Sequence, residues 1–222
     1  MKLRHSSISI PSAQAWLDAL LCHAPNVHAL ALIVQPWATP PGAARENRLT
    51  QALHAAGFGT LTVDLLTVQE QARDPDACFN VPQLALRIDG VRDWIAHQPM
   101  LGTLQVGLLA SGTACAAAIR AAARHPEHYS ALVCLGGRAD LAGTKPLTSL
   151  VTPTLFAVDE QDPDLPILRQ AYAHLVCQRS WQPVAATDDH LDASGTASLA
   201  VDWLLRHPRA QAMDAEAITS AH

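Results

Sequence analysis

The sequence predicts an α/β fold in which a mostly parallel central sheet carries helices on both faces. Three observations support this. Short, mostly apolar runs at 104–109, 130–135 and 154–158 read as central strands buried on both faces, and further strands are expected at 28–34 and 60–65. Between them lie helical stripes, such as Leu84, Ile88, Val91 and Ile95, and strands alternating with helices imply parallel pairing. Finally, 222 residues with 49% hydrophobic content can bury one sizeable core, so a single domain over 1–207 is expected, followed by a loose tail at 208–222.

The elements follow in order. Residues 7–10 alternate polar and apolar and suggest a first strand, whereas 15–23 is ambiguous because its Ala and Leu content favours helix. The strand at 28–34 leads into Gln35-Pro36-Trp37-Ala38-Thr39-Pro40-Pro41, a loop on composition. A helix over 45–56 places Leu49, Ala52, Leu53 and Ala56 on one face and is closed by Gly57. The strand at 60–65 runs into 67–73 and an acidic, irregular stretch through Asn80, and 81–97 is an amphipathic helix.

Next comes a strand, a sharp turn and a helix. The strand at 104–109 meets the turn Ala110-Ser111-Gly112-Thr113-Ala114, and the Ala-rich helix at 115–123 stops at Arg124-His125-Pro126. Strands at 130–135 and 154–158 follow, then a helix at 166–176, a short strand at 180–184 and a closing helix at 197–206.

Charge and cysteines narrow the function classes. The net charge of −5 and pI near 6.1 come without any run of Lys or Arg, which argues against nucleic acid as a partner. The five cysteines are odd in number and widely spaced, with no CxxC pair; they read as reduced thiols, neither a disulfide framework nor a zinc site. Met1-Lys2-Leu3-Arg4 is basic, and Ser12-Ala13-Gln14-Ala15 faintly imitates a cleavage site, but no apolar run between them is long enough for a signal peptide. No stretch approaches the roughly 20 apolar residues of a membrane span. A cytoplasmic protein with no membrane contact, metal or cofactor is expected.

The central turn has the form of a nucleophile elbow, which needs small residues two before and two after the nucleophile because strand and helix backbones come close there. With Gly112 at the tip the flanking residues are Ala110 and Ala114, and both fit. With Ser111 at the tip they are Leu109 and Thr113, one bulky and one β-branched. The spacing favours Gly112.

At this point the chain resembles the dienelactone-hydrolase-like branch of the α/β-hydrolases. Members read Gly-aromatic-Phe-Gly-Ala-Ser-Thr-Gly, an alanine-rich helix, Arg-Pro, and a strand ending in Arg-Gly-Gly-Arg-Pro-Asp-Leu-Ala-Gly. This sequence offers Gly107-Leu108-Leu109-Ala110-Ser111-Gly112-Thr113-Ala114, the helix, His125-Pro126, and Leu135-Gly136-Gly137-Arg138-Ala139-Asp140-Leu141-Ala142-Gly143. Leu61-Thr62-Val63-Asp64-Leu65-Leu66-Thr67 and Gln71-Ala72-Arg73-Asp74 are also similar to a family segment. The resemblance implies the α/β-hydrolase fold, with 15–23 as the second arm of a β-hairpin.

It also implies site residues. Gly112 falls on the family's nucleophilic serine, Asp162 aligns with the acid, and Ala186-Thr187-Asp188-Asp189-His190-Leu191 is similar to the histidine loop, with His190 as the base. The oxyanion-hole region falls on Gln35, Pro36, Trp37 and Thr113. Where the family has His-Gly-Ser-Gly this chain has Gln35-Pro36-Trp37-Ala38; proline removes an N–H, and tryptophan takes space the substrate would use. The nucleophile position is vacant.

Other readings stand beside these. Ser111 is either a small polar residue at a strand end or an alternative nucleophile reached by a one-residue shift. Cys115 reads as a small buried hydrophobe, and Asp162 could instead cap the helix beginning near Pro166. Two functions result: a protein lacking serine-hydrolase turnover that binds a small molecule or a protein partner, or an active ester or lactone hydrolase using Ser111 or a water activated by Asp162 and His190.

Overall fold

The computed structural model describes residues 3–13, 15–40, 47–184 and 195–208. Its strands are β1 (Arg4–Ser12), β2 (Ala15–His23), β3 (Ala29–Gln35), β4 (Phe58–Asp64), β5 (Gln105–Ser111), β6 (Ala131–Leu135), β7 (Thr154–Asp159) and β8 (Arg179–Val184). The helices are α1 (Arg48–Ala55), α2 (Val68–Arg73), α3 (Val81–Ala96), α4 (Ala114–Arg124), α5 (Thr144–Ser149), α6 (Leu165–His174) and α7 (Thr196–Arg206).

The eight strands form one sheet in the order β1-β2-β4-β3-β5-β6-β7-β8. β2 pairs antiparallel with β1 and with β4, while the ladders from β4 through β3 to β8 are parallel. Every residue of β3 and β4 is buried, which explains why β3 reads as a near-continuous apolar run; β4 buries Thr60, Thr62 and Asp64 along with its apolar residues.

Alternation divides the central strands between two cores. Leu30, Leu32 and Val34 of β3, with Leu108 and Ala110 of β5, face a core completed by α3, α4 and α6. Ala29, Ala31 and Ile33, with Leu109, face the opposite core, completed by Leu49 and Leu53 of α1 and by Ala200, Trp203 and Leu204 of α7. Both faces of the sheet are therefore covered. The stripe Leu84, Ile88, Val91 and Ile95 of α3 is fully buried.

Local signals placed most boundaries. Asn47 and Thr50 close a reciprocal capping box on α1, and Gly57, at φ 85°, follows its end. The helix propensity of 15–23 gives way to strand because β1 on one side and β4 on the other supply its hydrogen bonds. β5 runs two residues past its predicted end, and Ser111 pairs with Leu135. Six-residue α5 and the 3-10 turn at Ala139–Ala142 are too short to show a period in sequence. The expected tail lies outside the described residues beyond Pro208. No helix among the described residues is long and apolar enough to cross a membrane.

Candidate functional site at the carboxyl edge of the sheet

Ligand sites of open α/β sheets form outside the carboxyl ends of the strands, and those sequence-predicted residues that fall among the described ones lie there. β5 ends at Ser111, which is 2% exposed; its Oγ is buried and has no hydrogen-bond partner among the described residues. Gly112 turns the chain with φ 56°, and Thr113 opens α4 with its Oγ1 donating to the Cys78 carbonyl. Small residues let α4 approach the sheet: Ala114 and Ala116 to Ala118 are wholly buried. Cys115, also wholly buried, points its Sγ at the carbonyls of Ala110 and Gly136, 3.2 Å from each.

The turn after β6 braces this elbow from one side. Gly136 and Gly137 have φ of 65° and 79°, and a Cβ on Gly137 would stand 2.2 Å from the Gly112 carbonyl oxygen. Arg138 N–H donates to that same oxygen at 3.1 Å. The Arg138 side chain makes a two-pronged pair with Asp140, at 2.9 and 2.8 Å, which raises its pKa.

From the other side the elbow is covered by the loop after β3. Gln35 is buried, and its Nε2 donates to Asp64 Oδ1 at 2.9 Å and to Thr39 Oγ1 at 2.8 Å. Asp64, itself 1% exposed, accepts the Thr39 N–H at 2.8 Å, while Ala38 N–H donates to Gln71 Oε1 at 2.8 Å. These bonds hold Pro36 and Trp37 over the turn. A Cβ placed on Gly112 would lie 2.9 Å from Trp37 Cζ3 and 3.0 Å from Pro36 Cγ.

Beside Trp37 a cleft of about 260 Å³ is lined by Pro36, Trp37, Leu66, Gln71, Pro75 and Cys78. Its outer wall is α2 with the 3-10 turn at Pro75–Phe79. An ion pair anchors that wall. Arg87, 1% exposed, donates to the Leu65 carbonyl at 2.6 Å and grips both carboxylate oxygens of Glu70. That grip, helped by bonds from Thr67, lowers the Glu70 pKa to about 2. Sequence reasoning passed over Arg87, although an arginine on the α3 stripe, three residues after Leu84 and four before Val91, was an available signal.

The predicted acid is half-buried in the loop between β7 and α6. Asp162 Oδ1 accepts the Asp164 N–H at 2.8 Å and its carbonyl accepts Leu165 N–H at 3.0 Å, so it shapes the turn into α6. His190 lies outside the described residues, and with it the expected pairing to Asp162. The chain leaves β8 at Val184, in register with Asp159.

No family model matches the chain. Two proteins from two strains of Mycobacterium tuberculosis, which carry the provisional name phosphoribosyl transferase, are each 36% identical over 168 residues, 73% of this chain. The chain spans 38% of the length of these curated relatives. Among solved structures, a dienelactone hydrolase from Anabaena variabilis matches with a TM-score of 0.83 and 28% identity, over 94% of this chain and 100% of that one. A Pyrococcus furiosus esterase matches with a TM-score of 0.70 and 10% identity, over 92% and 93% of the two chains. Est1E from Butyrivibrio proteoclasticus matches with 0.67 and 14%, over 90% and 98%. The chain has an α/β-hydrolase fold of the dienelactone-hydrolase-like kind.

Proposed function

We propose that this chain lacks serine-hydrolase turnover, that Gly112 occupies the nucleophile position, and that the cleft beside Trp37 binds a small, largely apolar molecule. One observation carries the reading: a Cβ at 112 would stand 2.9 Å from Trp37 Cζ3 and 3.0 Å from Pro36 Cγ, so a serine there requires those side chains to shift. The remaining features agree with it. Pro36 has no N–H to donate to an oxyanion, and Ser111 turns its hydroxyl into the protein instead of toward a substrate. Loss of the nucleophile alone costs about 10⁶ in rate in a serine protease. A water activated by Asp162 and His190 is the remaining hydrolytic route, since a carboxylate with one oxygen on a backbone N–H can still accept from an imidazole.

The mycobacterial name belongs to chains of which this one spans 38%. None of the five cysteines is in a disulfide, which suits a reducing compartment such as the cytoplasm. Purified protein is expected neither to hydrolyse short-chain p-nitrophenyl esters nor to react with a fluorophosphonate probe. Stoichiometric labelling at Ser111, located by mass spectrometry, would overturn this.

A further inference from the structure

On a different surface, where α4 ends and the chain turns toward β6, three donor groups converge. His125 is the C-cap of α4, and residues Pro126–His128 form a 3-10 turn. A 3-10 turn stacks positions three apart, so the rings of His125 and His128 lie one over the other, 5.0 Å between centroids and 16° from parallel. Glu127 projects between their nitrogens. Its Oε1 is 3.5 Å from His125 Nδ1 and 3.5 Å from His128 Nε2, and the three donor atoms all lie within 4.8 Å of one another.

We propose that His125, Glu127 and His128 form a surface site for one borderline divalent transition-metal ion, of which Zn²⁺ is the representative, with water completing the shell. Two imidazoles and a carboxylate are a donor set such ions accept. Ligand atoms about 2.0–2.2 Å from a tetrahedral Zn²⁺ sit about 3.3 Å from one another, and two edges of this triangle already measure 3.5 Å. The third edge closes by a turn of the His125 ring, which is 39% exposed. His128 Nδ1 is buried without a partner among the described residues, so Nε2 is the nitrogen this ring presents. The carbonyl end of α4 carries partial negative charge and favours a cation.

The site does not depend on the elbow. His125 stands where the resembled hydrolases carry arginine, so the donor set belongs to this chain's own residues. Sequence spacing alone did not reveal it, because histidines three apart around a proline become neighbours only once the 3-10 turn forms.

The test uses untagged protein. Calorimetric titration with Zn²⁺ is expected to give one ion per chain at low-micromolar affinity, and Co²⁺ is expected to give the strong visible absorption of a four-coordinate ion. His125→Ala, at a half-buried position, and Glu127→Gln, at an exposed one, are each expected to weaken Zn²⁺ binding about 10- to 100-fold, the range by which a metal site's supporting groups already act. A distant control, His174→Ala, leaves binding unchanged. Absence of Zn²⁺ binding at sub-millimolar concentration, or binding that both variants leave untouched, would overturn the proposal.

Discussion

Two turns at the same edge of the sheet use glycine for different physical reasons. Gly137, after β6, is hemmed in by backbone: any Cβ there would run into the carbonyl and amide of Gly112, which cannot withdraw without moving β5 or α4. Gly112, after β5, is hemmed in by the side chains of Pro36 and Trp37, which belong to a loop. Both have positive φ, yet only the first is fixed by the fold itself. The second records what a neighbouring loop has placed above it. An obstruction made of side chains can be engineered away; one made of backbone cannot.

The largest effect expected from this contrast is at Gly137. Gly137→Ala should lose about 3 kcal/mol or more, since left-handed strain and overpacking each contribute about 1–3 kcal/mol. Urea denaturation measures it, and a near-neutral result would mean that the two turns do not touch as described.

The wall of the cleft provides a second lever, independent of either glycine. Glu70→Ala leaves the buried Arg87 guanidinium without its carboxylate and should cost about 3 kcal/mol. The sign of the pH dependence follows. The folded pKa of Glu70, about 2, lies below its ordinary value of 4.5, so its contribution is complete above about pH 4.5 and is lost as pH falls toward 2. Stability curves against pH for Gly112→Ser and the unmodified protein should run parallel there. Non-parallel curves would couple the wall to the elbow.

Gly112→Ser should fold with a loss of about 1–3 kcal/mol, from a non-glycine residue in a sparse backbone region plus displacement of the Trp37 ring. It should restore little esterase activity by itself, because Pro36 still offers no N–H and the Ala38 N–H is already donated to Gln71, and removal of a single oxyanion donor costs about 10²–10³ in rate. Replacing residues 35–38 with His-Gly-Ser-Gly in the same variant tests the loop's share; robust turnover by Gly112→Ser alone would show that only the nucleophile was lost.

The smallest effect is at Ser111. Ser111→Ala removes a buried hydroxyl that has no partner among the described residues, and thermal melting should show no change or a gain of up to about 1 kcal/mol. A loss of ester turnover in this variant would instead assign Ser111 a catalytic task.

Much of the fold was legible because its signals are local or periodic. The α3 stripe, the alanines of α4, the glycine after α1 and the apolar strands each declare themselves within a few residues. The hairpin arm at β2, which the resemblance implied, was not legible from its residues alone, since its leucines and alanines suit either state until β4 supplies a partner. At the site, small-residue spacing indicated Gly112 as the turn residue, and its φ of 56° follows from that turn. What could not be read were contacts across distant sequence: Asp64 holding the 35–39 loop, Arg87 reaching Glu70, and Trp37 meeting Gly112.

That last contact makes positions 37 and 112 epistatic. A serine introduced at 112 while Trp37 remains meets the indole; a small residue introduced at 37 while Gly112 remains opens a gap with no hydroxyl to use it. Either single step toward a catalytic elbow is unfavourable or idle, and only the pair supplies a hydroxyl without the indole in its path. Library searches for hydrolytic activity in this scaffold should therefore vary the two positions together, because screens of single substitutions begin from a point that is locally trapped.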